Sequence, residues 1–226
     1  MDISIDAFRN FVLYSELLAA IVGTIYFNKY KHTYLKYFLY LLWYITLTEF
    51  TAWYATENHV LGFFDENGTH YNYWFYNLLY MITFMFLYYI YFKSINTKKY
   101  RKWIKVFLIS YVIIATINWS FVQNFFFDWS EIPTVIGSIF LIITILFYFI
   151  ELLKSEKIII FHRMLLFWIS VGLLLFYSGT IPFTLKFNGY ALIPGVHKIF
   201  LIQFILAIIM YLTFTFGFIW SKKESH

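Results

Sequence analysis

Five stretches of this chain, residues 67–92, 106–127, 132–150, 164–185 and 199–221, contain no Asp, Glu, Lys or Arg. Two more, 10–28 and 37–56, are each interrupted by one acid, Glu16 and Glu49. A helix that crosses a bilayer needs about 20 predominantly apolar residues, and every one of these stretches is long enough once tilt and aromatic ends are allowed for. The pattern predicts an all-α membrane protein, a seven-transmembrane helix bundle with spans near residues 8–28, 34–55, 73–93, 103–122, 132–153, 160–184 and 197–220. Composition agrees, with 62% hydrophobic and 13% charged residues, where soluble domains run at roughly 45–50% and about 25%. So few charges cannot cover the surface of a soluble fold of 226 residues, which excludes a cytosolic enzyme, a nucleic-acid-binding domain and a disordered tail. Seven spans leave only short loops, so residues 1–226 form one transmembrane domain and any output leaves through helix ends, loops or a partner protein.

Loop charges give an orientation. Lys29, Lys31 and Lys36 fall in the first turn, and Lys93, Lys98, Lys99, Arg101, Lys102 and Lys105 in the third. Lys154, Lys157 and Arg163 fall in the fifth turn, and Lys222 and Lys223 in the tail, which puts 14 of the 17 basic residues on one side. The other side has Arg9, Lys186 and Lys198 with the acids Asp2, Asp6, Glu57, Asp65, Glu66, Asp128 and Glu131. The positive-inside rule then places the N-terminus outside and the C-terminus in the cytoplasm, which requires an odd number of spans. A bacterial inner membrane is the expected location, with the first span retained because no basic segment precedes it. Lys98, Lys99, Arg101 and Lys102 are candidates for contact with anionic lipid or an acidic cytoplasmic partner. Asn67-Gly68-Thr69 matches a glycosylation acceptor on the outer side, a triplet frequent by chance.

Glu16 and Glu49 carry the sharpest functional signal. A carboxylate deep in a span costs about 2.5–3.5 kcal/mol on insertion scales, so such residues face a bundle interior or a cavity. From the expected helix ends Glu16 lies roughly 12 Å deep and Glu49 roughly 9 Å deep, at 1.5 Å per residue. Glu16 shares a helix face with Ala19, Ala20 and Gly23, and Glu49 with Thr46, Ala52 and Trp53. The two acids can share a proton, ligate a cation or bind an amine, and no Lys, Arg or His is expected at their depth. Asn77, Asn118, Ser138, Ser178, Thr180 and Gln203 fall in the same outer half, whereas the cytoplasmic halves are almost wholly Leu, Ile, Phe and Tyr. Together they predict an outward-facing pocket for a small cationic ligand or a proton, formed by Glu16, Glu49, Trp53, Asn77, Asn118, Ser178, Thr180 and Gln203. Trp53 would add a cation–π surface beside Glu49, and Pro182 frees a carbonyl near Ser178.

Other chemistries are argued down. There is no cysteine, so thiolate nucleophiles and Cys-based metal sites are excluded. A retinal protein needs a Schiff-base lysine in its last span, and residues 199–221 have none. All six histidines fall at span ends or in loops, and there is no phosphate-binding glycine loop or GxSxG elbow. No cofactor, metal or catalytic constellation is therefore expected. The outer loop residues Glu57, His59, Asp65, Glu66 and His70 match no strong ligand motif and read best as a solvated acidic loop.

The run Phe167-Trp168-Ile169-Ser170-Val171-Gly172-Leu173-Leu174-Leu175-Phe176-Tyr177-Ser178-Gly179, an FW-x3-G-x4-Y-x-G pattern, resembles the sixth-span region of small bacterial seven-helix proteins. Those are similar to the seven-transmembrane sensing regions of membrane histidine kinases. The resemblance implies a sensory or accessory membrane module whose output passes through a separate signalling protein. The alternative is a small proton- or cation-coupled transporter of 3+1+3 helix organisation, for which residues 8–93 and 132–220 show no clear repeat.

Overall fold

The computed structural model describes residues 5–66, 68–185 and 197–223 of the protein. Asn67 of the acceptor triplet and Lys186 lie outside the described residues. The chain forms α1 (Ile5–Ile25), α2 (Lys36–Asn58), α3 (Tyr73–Ser94), α4 (Lys98–Phe121), α5 (Glu131–Leu153), α6 (Leu165–Thr184) and α7 (His197–Trp220). Six of these, all but α2, are long and apolar enough to cross a membrane, as in an integral multi-pass membrane protein. Helix α2 falls short because Lys36, four threonines, Glu49 and Glu57 dilute its apolar residues.

The outer surface supports the same conclusion. On α1, Phe11, Tyr14, Leu18, Ile21 and Ile25 are exposed at three- and four-residue intervals, an unbroken apolar stripe. In water such a stripe would have to be buried, but in a bilayer it meets solvent of its own polarity. Opposite it, Ser15, Glu16, Ala19 and Ala20 are buried.

Six helices close into a ring in the order α1, α2, α3, α5, α6, α7 and back to α1, and α4 lies outside it against α3 and α5. Helices α6 and α7 form the tightest pair. A Cβ on Gly172 would come 2.8 Å from the Phe214 ring, and one on Gly217 would come 2.7 Å from Trp168 Cβ, so glycine permits their approach at both levels.

Several boundaries differ from the sequence expectation. Helix α4 begins at Lys98 rather than near 103, so Lys98, Lys99, Arg101 and Lys102 stand on its first turns and only residues 95–97 connect it to α3. The Glu151 carboxylate makes this tight turn possible, accepting hydrogen bonds from the Asn96 (2.7 Å) and Thr97 (3.0 Å) amides. Helix α6 begins at Leu165 rather than 160, because Glu156–Arg163 winds as a 3-10 helix. A second 3-10 turn, Phe27–Lys29, ends the first helix region early. The loop after α2 folds into a two-residue hairpin, β1 (Phe63–Phe64) with β2 (His70–Tyr71), in the register Phe63↔Tyr71 and Phe64↔His70. Its entry is set by His59, left-handed at φ 52, whose amide and that of Val60 return to the last carbonyls of α2.

One end of the ring, where the turns after α1, α3 and α5 emerge, is the basic end. The other, with the β1–β2 hairpin and the loop between α4 and α5, is the acidic end.

A candidate site of two glutamates over an apolar cavity

Because α1 turns its apolar stripe outward, Glu16 points into the ring, where it is 1% exposed. It lies eleven residues from Ile5, about 16 Å from the acidic end of α1. On α2 the inward line steps by three residues through Thr46, Glu49, Ala52 and Ala55. Glu49 lies nine residues from Asn58, about 13 Å deep. Both acids are deeper than the sequence reading places them, because α1 and α2 run further toward the acidic end than expected.

The two carboxylates line one cavity of about 220 Å³. All six ring helices and Trp129 contribute to its wall, and no residue of α4 does. Glu16 lies within electrostatic reach of Glu49, with the hydroxyls of Thr46 and Tyr211 beside it. Thr46 spends its proton on the Leu42 carbonyl at 2.9 Å. Glu16 Oε1 is buried without a hydrogen-bond partner. A buried unpartnered carboxylate oxygen is costly, which marks it as a group awaiting something.

Glu49 is better served. Its carboxylate lies beside the Tyr76 phenol and within electrostatic reach of Arg9. It is crowded by protein on every side yet keeps some accessible surface, as a side chain does when it borders a cavity. The sequence offered no cation at this depth. The structure corrects that, because a long guanidinium side chain carries its charge a turn or more away from its Cα. Arg9 also pairs with Glu57 at 3.6 Å, at the rim.

Of the residues expected around a pocket, Glu16, Glu49, Ser138, Thr180 and Gln203 line this cavity. Trp53 does not: it is 41% exposed, turned away by the three-residue step of the inward line. Ser178 is exposed and donates its hydroxyl back to the Leu174 carbonyl of its own helix. Asn77 and Asn118 are buried but committed elsewhere. Asn77 Nδ2 donates to the carbonyls of Phe125 (2.8 Å) and Asp128 (2.9 Å), and its Oδ1 accepts from the Ser130 amide at 3.0 Å. Asn118 donates to Gln123 Oε1 at 2.9 Å, and Gln123 in turn donates to the Trp129 carbonyl at 3.1 Å. Both asparagines thus act on the cavity indirectly, by fixing the loop that carries Trp129.

Sequence reasoning passed over Arg9, Tyr76, Tyr80, Trp129 and Tyr211. Trp129 lies 5.7 Å from the Tyr76 ring and 5.2 Å from the Tyr80 ring, forming an aromatic cluster beside Glu49. With 21 tyrosines in the chain, nothing in their spacing singles these out.

At the basic end, charged side chains meet helix termini and aromatic rings. Lys29 Nζ donates to the carbonyls of Phe218 (3.1 Å), Ile219 (2.8 Å) and Ser221 (2.8 Å), capping the end of α7, and lies over the Tyr26 ring at 4.3 Å. Burial lowers the pKa of this lysine, while its three carbonyl acceptors favour the charged form. Arg163 stacks on Trp220, with its guanidinium carbon 4.1 Å from the ring centre, and its carbonyl accepts from the Lys222 amide at 3.0 Å. Lys98, Lys99 and Lys102 are exposed, and Arg101 lies over Phe92 at 4.4 Å.

Comparison with protein-family models, with curated proteins and with solved structures finds no match to this chain.

Proposed function

We propose that this chain is a seven-span sensor or regulatory subunit of a bacterial inner membrane, with its acidic end outside and its basic end in the cytoplasm. A small ligand or a proton at Glu16 and Glu49 shifts the packing of α1 and α7, and a partner protein reads that shift at the basic end. The observation that carries this reading is Glu16, fully buried, facing a cavity, with one carboxylate oxygen left unpartnered. Binding there bears directly on the packing of α1 against α7, because Glu16 comes from α1 and Tyr211, beside its carboxylate, from α7. Those two helices are joined again at the basic end by the Lys29 cap. Transport is the weaker reading. Toward the basic end the cavity wall is Phe38, Leu87, Leu173 and Phe214, which offer an ion no polar step.

The absence of native cysteine makes the test direct. A single cysteine replacing Lys222 carries a fluorophore at the basic end, and the purified protein in nanodiscs is stepped between about pH 5 and about pH 8. The expected result is a change in fluorescence that is lost in the Glu16→Gln, Glu49→Gln double variant. An equal change in both proteins, or none in either, overturns the sensor reading.

A further inference from the structure

The cavity has two chemically distinct halves. Toward the acidic end it presents Glu16, Glu49 and the hydroxyls of Thr134, Ser138, Thr180 and Thr184. Further in, its wall is Phe38, Leu41, Leu42, Leu87, Leu173 and Phe214. Among its lining residues the formal charges are both negative, and none is Lys, Arg or His. The two acids are also unequal: Arg9 lies within electrostatic reach of Glu49, while Glu16 Oε1 has no hydrogen-bond partner.

Each half excludes a class of ligand. A neutral apolar molecule would fill the inner half and leave the Glu16 oxygen unsatisfied. A bare metal ion would satisfy the carboxylates and leave an apolar chamber empty. An anion would meet two carboxyl groups and no Lys, Arg or His among the lining residues. A molecule that is cationic at one end and apolar at the other meets both halves at once. The size is suitable, since a cavity of 150 Å³ lined by apolar side chains admits benzene and this one is about 220 Å³. The rings of Tyr80, Tyr211 and Trp129 on the same wall favour an organic cation over a strongly hydrated one.

We infer that the site binds an organic monoamine with a compact apolar body, of the size of a phenylethyl group. Its ammonium sits on Glu16 and its body points toward Phe38, Leu87 and Phe214. The inference rests on the proposed outward-facing site and names the ligand class that site selects.

The test is calorimetric titration of the protein in nanodiscs with 2-phenylethylammonium chloride, using empty nanodiscs as the blank. Parallel titrations use 2-phenylethanol and sodium phenylacetate. Saturable binding of the ammonium is expected, with the alcohol at least about tenfold weaker and no binding of the carboxylate. Glu16→Gln lowers ammonium affinity by at least about tenfold, and Glu49→Gln by less, because the Arg9 guanidinium already lies within electrostatic reach of Glu49. Ala207→Leu, which extends a side chain into the cavity from α7, weakens phenylethylammonium binding. Equal affinities for alcohol and ammonium, or an unchanged affinity in Glu16→Gln, overturn the inference. The two proposals can fail separately. A fluorophore response to pH that needs both glutamates, without amine binding, keeps the sensor and removes the amine. Glutamate-dependent amine binding with a silent fluorophore keeps the amine and removes the sensor.

Discussion

At the basic end of the ring, Lys29, Arg163 and Glu151 each meet a helix terminus or an adjoining turn with a charge of suitable sign. At the acidic end a buried carboxylate faces a cavity with an oxygen left over. The first arrangement satisfies backbone groups that a helix cannot satisfy itself. The second leaves a polar group unsatisfied where water is scarce, a cost that a fold retains at functional positions. One end of the molecule thus satisfies its helix termini and the other leaves a buried polar group unsatisfied. The same pair of helices, α1 and α7, runs through both.

The contrast predicts very different tolerances along α7. Gly217→Leu should be the most damaging single change, because its new Cβ meets Trp168 Cβ at 2.7 Å and neither atom can move without its backbone. The cost is about 3 kcal/mol, seen as loss of monodisperse protein after mild-detergent extraction. The same enlargement at Ala207, three turns toward the acidic end, projects into the cavity and should change stability by under about 1 kcal/mol. Equal losses at the two positions would erase the distinction between a packed end and an open one. Next in size, Asn77→Ala strands the Phe125 and Asp128 carbonyls and the Ser130 amide, at a cost of about 2 kcal/mol. A thermal midpoint unchanged by this substitution would mean the loop under Trp129 does not depend on it. Lys29→Met removes the α7 cap and should cost about 1 kcal/mol, since the ammonium is only half-buried and water replaces part of what is lost.

Depth was legible in the sequence and azimuth was not. Charge-free runs fix where helices lie, and counting from their ends puts Glu16, Glu49, Ser138, Thr180 and Gln203 in the same half of the bundle, where they line the cavity. Glu16 could also be aimed correctly, because Ala19 and Ala20 mark the packed side of α1 against its stripe of large residues. Elsewhere both the lipid-facing and the inward side of a helix are apolar, so composition cannot say which is which. That is why Trp53 and Ser178 share the depth of the site and face away from it. Asn77 and Asn118 were hidden for another reason: Asn77 bonds to backbone and Asn118 to the Gln123 side chain in the 122–130 loop, and a loop's path leaves no periodic trace. The position of α4 outside the ring is likewise a matter of packing between distant elements.

The smallest effect on stability is expected at the residue with the largest expected effect on function. Glu16→Gln keeps the shape of the side chain, removes a charge that sits near Glu49, and adds two N–H donors beside the hydroxyls of Thr46 and Tyr211. Thr46 already donates to the Leu42 carbonyl, so its oxygen is available as an acceptor and the amide can use it where a carboxylate cannot. The thermal midpoint in nanodiscs should therefore hold or rise, by no more than the equivalent of about 1 kcal/mol, while the pH response at the basic end disappears. A fall as large as that of Asn77→Ala would show instead that the Glu16 carboxylate is a structural strut, and the functional role would pass to Glu49. Stability kept with response lost is the signature of a group whose unsatisfied state the fold tolerates because a ligand completes it.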